Sequence, residues 1–214
     1  MKKLILLAVL VLSAMTASAQ MMTSRTLMKR HTPTTWYVRA GLSVNMLTGM
    51  SSDDKDYGYE AGSKAGFEVD FGFNKPIGKS GTYWGMELGF NNRGGKVTNK
   101  ENDNASLSLN AWSIKYSPFT FGYKYSVTDD LKIDAHLGLL ALIDVSQSAK
   151  EDGDDYGSDA FENSFDIGLQ VGVGAWYKKF NLDITYQPGF VPFVSTRNGD
   201  LKSSQVLIRL GYAF

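Results

Sequence analysis

The chain has 214 residues, 43% hydrophobic and 13% aromatic, with 22 Lys and Arg against 22 Asp and Glu and no cysteine. That length allows one domain or slightly more, the composition excludes a disordered chain, and the missing basic excess argues against nucleic acid as a partner. Without cysteine there can be no disulfide, no thiolate metal site, no cysteine catalysis and no lipid anchor on a cysteine.

The first twenty residues, MKKLILLAVLVLSAMTASAQ, place Lys2 and Lys3 before an apolar run and close on Ala17, Ser18 and Ala19. That order predicts a secretory signal peptide over residues 1–19, removed before Gln20. A membrane anchor needs roughly 20 apolar residues and this run is far shorter. Residues 20–35, which include His31, read as a periplasmic N-terminal segment. Removal of the signal leaves 20 basic residues against 22 acidic ones, so the mature chain is close to neutral.

From residue 36 the pattern changes to period two, the mark of a strand with one apolar face. Over 36–46 the even positions are Trp, Val, Ala, Leu, Val and Met. Over 65–73 the odd ones are Ala, Phe, Val, Phe and Phe. Trp84, Met86, Leu88 and Phe90 continue the rule. A long segment over about 107–127 carries Trp112, Ile114 and Tyr116 in one phase and Phe119, Phe121, Tyr123 and Tyr125 in the other, which predicts a bulge at Ser117 and Pro118. Further strands run from 131 to 145, where Leu140 and Leu142 break the polar side, then from 165 to 175, around 182–187, and over 206–214. Residues 47–62, 93–105, 147–163 and 192–203 read as long polar loops, and 74–81, 127–130 and 177–181 as short turns. Long loops on one side and short turns on the other predict an all-β fold, an eight-stranded antiparallel up-and-down barrel over 36–214 with no second domain. A mean hydropathy of −0.20 fits an apolar residue at every second position.

Alternation alone does not say which face is inside. Eleven glycines (41, 66, 72, 85, 89, 138, 168, 172, 174, 189 and 211) fall on the polar face, where a solvated sheet would prefer residues of higher strand propensity. Eight strands enclose a space just filled by side chains, so small residues are expected on the inner wall. The polar face therefore points inward and the apolar face meets lipid. Strands of about 11 residues at roughly 3.3 Å each, tilted near 40°, span on the order of 27 Å, the height of a bilayer core. Aromatic pairs near the short turns (Trp36 and Tyr37, Phe71 and Phe73, Tyr83 and Trp84, Trp176 and Tyr177, Tyr212 and Phe214, with the run from Phe121 to Tyr125) read as an interfacial girdle.

The leader, the eight alternating strands, the asymmetric loops and the final strand VLIRLGYAF together resemble the PorT-like outer-membrane barrels of Bacteroidota, and more broadly the small OmpX-like and OmpA-type barrels. The resemblance covers 36–214 and is architectural. It implies an outer-membrane location with both termini periplasmic and the long loops outside, and a final strand (Val206, Ile208, Leu210, Tyr212 and Phe214) that serves as a signal to the barrel-assembly machinery. Expected partners are outer-membrane lipid and lipopolysaccharide, with the barrel a monomer.

Arg39, Glu68, Asp70, Glu87, Asp134, His136, Asp183 and Arg209 stand three to five residues up their strands and face inward, so they can form one charged layer across the lumen. Buried charges must be paired and hydrogen bonded, which makes the layer a structural plug, with a gated pore as the sharper alternative. His136 beside Asp134 invites a hydrolase or acyltransferase reading, but no Gly-x-Ser-x-Gly motif or neighbouring inward serine supplies the nucleophile such chemistry needs. Glu151, Asp152, Asp154, Asp155, Asp159 and Glu162, with Asp53, Asp54 and Asp56, lack the full EF-hand spacing and read as solvated acidic loops. Neither a metal, a cofactor nor a catalytic residue is assigned. The sequence thus points to a non-enzymatic barrel with a structural or surface-interaction role, supporting secretion or adhesion; the alternatives are a small passive channel and an outer-membrane enzyme.

Overall fold

The computed structural model describes residues 33–50, 58–99, 106–151, 154–157, 161–196 and 199–214. The chain divides into Met1–Pro33 and Thr34–Phe214. The signal peptide and most of the N-terminal segment lie outside the described residues, and everything below concerns the second unit.

Among the described residues nine strands follow in chain order: β1 (Thr35–Thr48), β2 (Tyr59–Pro76), β3 (Thr82–Asn99), β4 (Ser106–Ser126), β5 (Leu131–Glu151), β6 (Asp154–Gly157), β7 (Phe165–Tyr177), β8 (Phe180–Thr196) and β9 (Gly199–Ala213). Eight of them pair antiparallel in sequence, and β1 pairs with β9 to close the ring. The short β6 is a ninth strand laid on the β5 edge through Lys150 and Asp155. The fold is therefore the eight-stranded up-and-down barrel read from the sequence. Closure leaves the wall without the exposed edge that an open sheet would carry.

The apolar alternate residues face outward. Leu42 is 74% exposed and Leu210 68%, and Val38, Val69, Phe71, Leu88, Leu137, Val173, Ile184 and Ile208 share their belt. The polar alternates are buried. Close approach of neighbouring-strand atoms explains the inner glycines: a Cβ on Gly211 would sit 2.8 Å from Arg39 Cγ, and one on Gly72 2.8 Å from the Tyr37 hydroxyl. At these two positions the glycine leaves room for a large inward side chain beside it. Between β3 and β4 the register slips, Gly85 pairing with Thr120 and Glu87 with Ser117, which puts the expected bulge at Pro118 and Phe119.

The walls are taller than the period-two segments. Much of what reads as loop in 93–99, 147–151, 192–196 and 199–203 is strand. β4 and β5 run for 21 residues each, more than an apolar belt of about 25 Å requires. In this loop-side half the phase of hydrophobicity reverses. Leu47, Leu109, Ala111, Ala149, Phe193 and Leu201 are buried together inside the barrel, with Val97, Leu107 and Phe161 packed against them. The lumen is polar toward the turns and apolar toward the loops.

The aromatic pairs split in the same way. Trp36, Phe71, Phe73 and Trp84 contact one another on the outside, and Phe71 stacks on Phe214 with centroids 6.2 Å apart. Tyr37, Tyr83 and Trp176, expected in the girdle, are instead buried in the lumen. A second outer cluster of Phe67, Phe90 and Trp112 stands nearer the loop side.

Candidate functional site

Two ion-pair networks fill the polar part of the lumen. In the first, Arg209 on β9 is the hub. Its Nη1 donates to Glu68 Oε1 at 2.9 Å and Asp70 Oδ2 at 2.8 Å, and its Nη2 donates to Asp183 Oδ1 at 2.6 Å and Thr185 Oγ1 at 2.8 Å. Lys115 on β4 reaches the same carboxylates from across the barrel, 2.5 Å from Glu68 Oε1, 2.9 Å from Asp70 Oδ1 and 3.3 Å from Glu87 Oε2. Arg39 Nη1 and the Tyr37 hydroxyl both donate to Glu87 Oε1, at 2.9 and 2.8 Å. The Arg39 guanidinium also lies 4.4 Å over the Tyr37 ring. All these side chains are buried, and in such surroundings a charge persists only when partners and hydrogen bonds replace water.

The structure brings Arg39, Glu68, Asp70, Glu87, Asp183 and Arg209 into one network and sets Asp134 and His136 beside it. Asp134 accepts from the Tyr83 hydroxyl at 2.8 Å and from Trp176 Nε1 at 3.1 Å. His136 Nε2 is 3.3 Å from Thr185 Oγ1 and 3.7 Å from Asp183 Oδ2. The Thr185 hydroxyl itself donates to Asp183 Oδ1 at 2.7 Å and accepts from Arg209, so it is held in place rather than offered as a nucleophile.

Sequence reading missed Lys115 and the whole second network. Arg93 on β3 makes two bonds from Nη2 to Asp144, 2.9 Å to each oxygen, and donates from Nη1 to Asp166 Oδ2 at 2.7 Å. Ser113 Oγ and Gln147 Nε2 add donors to Asp144 at 2.6 and 2.8 Å. Asp166 also accepts the backbone N–H groups of Phe190 and Val191, where the register between β8 and β9 slips near Pro188 and Pro192. This cluster ties β3, β4, β5, β7 and β8 together just below the apolar plug, with the Arg93 guanidinium 4.8 Å over Phe193. The signal for Lys115 was available, since it alternates with Ile114 and Tyr116 on the inward phase. Arg93 stood in a run read as loop.

Asp53, Asp54, Asp56, Asp152 and Asp159 lie outside the described residues. Of Glu151, Asp154 and Asp155 only the backbone is described, and Glu162 is exposed. Among the described residues no group of three or more His, Asp or Glu side chains is arranged to hold a metal.

Replacing Arg39 with alanine removes one of the three cations on Glu87, the others being Lys115 and the more distant Arg209, and frees the Tyr37 ring. Lys115 remains, so the expected loss is about 1–3 kcal/mol, read as a lower unfolding midpoint by gel mobility of heated and unheated samples. An unchanged midpoint would remove Arg39 from the structural account.

Residues 19–195 match the family described as outer membrane protein beta-barrel domain. No curated protein matches the sequence. Among solved structures, OprG from Pseudomonas aeruginosa is similar at 12% identity, with 86% of this chain and 97% of that chain covered and a TM-score of 0.50. The Neisserial surface protein A is similar at 19% identity, with 84% and 97% covered and a TM-score of 0.44. The attachment invasion locus protein of Yersinia pestis, solved with the heparin analogue sucrose octasulfate, is similar at 13% identity, with 85% and 99% covered and a TM-score of 0.41. At these identities the likeness to the OprG structure concerns the fold alone.

Proposed function

The chain belongs to the outer membrane protein beta-barrel domain family, and on that premise we propose that this small outer-membrane barrel is a non-enzymatic, non-conducting scaffold that presents its loop-side wall for surface interaction. The observation that carries this reading is the double filling of the lumen. Arg39, Lys115 and Arg209 close it with ion pairs toward the turns. Leu47, Leu109, Phe193 and Leu201 close it with apolar side chains toward the loops. An ion would have to break buried pairs and then cross an apolar layer, and His136 is itself buried.

The elongated strands support the second half of the proposal. A wall that continues past the apolar belt ends in a stiff rim, which suits adhesion or support of secretion better than transport. In this reading the signal peptide 1–19 is removed, both termini of the monomer are periplasmic, and the long connections face outward toward lipopolysaccharide. The outward face of β9, with Ile208, Leu210, Tyr212 and Phe214 exposed and Val206 half-buried, is read by the barrel-assembly machinery. PorT-like kinship of the Bacteroidota type is part of the same proposal.

Planar bilayer recording tests it. The expected result is no stepwise conductance from the refolded barrel beside a porin control. Regular steps of one size would overturn the scaffold reading in favour of a passive channel.

A further inference from the structure

Between the ion-pair network and the apolar plug lies a row of amides whose oxygens neither uses. Asn45 on β1 pairs with Gln205 on β9, and Gln205 pairs with Gln187 on β8, so the three stand side by side, with Cβ atoms about 5 Å apart. All three face inward and are at most 1% exposed. Asn45 Nδ2 donates to the Asn92 carbonyl at 3.1 Å and Gln187 Nε2 donates to Glu68 Oε1 at 3.2 Å. Those bonds fix which way each amide points. They leave Asn45 Oδ1 and Gln187 Oε1 without a donor, as is Gln205 Oε1 between them. Ser43 Oγ, two residues back along β1, and Ser203 Oγ, two residues back along β9, are also buried without a partner. Three amide oxygens on three adjacent strands thus lack a donor at one level, with one unpartnered serine hydroxyl on either side of that level, in a part of the lumen where an unmet acceptor is costly.

We propose that this row binds one hard monovalent cation of the sodium class. Neutral oxygens replace the hydration shell of an alkali cation, as carbonyl oxygens do in ion pathways. A divalent cation calls for carboxylate ligands, and Glu68, the carboxylate hydrogen bonded to the row, is already held by Lys115 and Arg209. Charge favours a cation as well. Glu68, Asp70, Glu87, Asp134, Asp144, Asp166 and Asp183 are buried with Arg39, Arg93, Lys115 and Arg209, and half-buried Lys124 adds one more positive group. Formal negative charge exceeds positive inside the barrel, and a sodium-class ion held by the row of amide oxygens reduces the excess.

The test uses the full-length barrel purified from membranes in zwitterionic detergent. Its unfolding midpoint is followed as sodium chloride replaces choline chloride at constant ionic strength, which holds the screening of surface charge fixed. A saturable rise with sodium is expected, because a ligand of the folded form stabilises it by mass action. Gln205→Met, close in size but without the oxygen, and Asn45→Leu should each flatten that rise. Equal midpoints in sodium and choline would overturn the proposal and leave water as the donor to these oxygens. A sodium effect that survives both substitutions would overturn the location. Should either variant fail to fold, crystals of the unmodified barrel soaked in thallium(I) decide: an anomalous peak among the three amide oxygens upholds the site, and none there overturns it.

Discussion

Arg209→Ala is expected to cost about 3–5 kcal/mol, the range for removing one partner from a buried ionic cluster. The substitution deletes the donors that Glu68, Asp70 and Asp183 share. Lys115 still reaches the first two, but Asp183 keeps only Thr185 and the more distant His136. An uncompensated carboxylate would then be buried on β8 opposite the truncated position, since Asp183 pairs directly with Arg209 in the ladder. The expected readout is a barrel that assembles poorly, or that unfolds at much lower temperature in detergent. Arg209→Ala with Asp183→Asn should recover part of the loss, because the second change removes the orphaned charge. A single variant as stable as the unmodified barrel would mean that water reaches this network and that the lumen is not dry.

Those ion pairs show how far the sequence could be read. Alternation fixed the inward face of every strand, and any charged residue on that face inside an apolar belt had to join a network. Arg39, Asp183 and Arg209 were therefore legible without coordinates. Their partners were not, because partnership depends on register across the ring, and Lys115 meets Glu68 from 47 positions away in the chain. Arg93 was hidden for a different reason: it sits in a run read as loop, past the last exposed apolar residue of its strand, Phe90, so the rule that identifies a strand by its lipid-facing residues no longer applies there. Asp144 and Asp166 alternate with the exposed Val145, Phe165 and Ile167, so their inward phase was readable and only their partner Arg93 was not. Beyond that level Leu47, Leu109, Phe193 and Leu201 point inward while Lys96 and Lys150 are exposed. A pattern that inverts its phase reads as the end of a strand, yet the backbone ladder continues through it.

The same inversion sets the second large effect. Leu42, opposite Ile208 and Phe67 in the register, lies within the exposed apolar belt, where an arginine has neither a partner nor water. Leu42→Arg is expected to cost about 2–4 kcal/mol in lipid vesicles, the range for a cation at the midplane of a membrane barrel. Ser146→Arg provides the contrast. Ser146 is exposed on the loop side beside Trp112, and at that depth the cost should fall to about 0–1 kcal/mol. Both are read from denaturant unfolding with the change in slope checked, since a shift of midpoint at constant slope isolates stability from a change in the unfolded state. Unequal costs in this order follow only if the outer face of β1 meets hydrocarbon and the taller wall stands in water above it. Equal small costs would place both positions in water, and the apolar belt would then need a protein rather than a lipid to cover it.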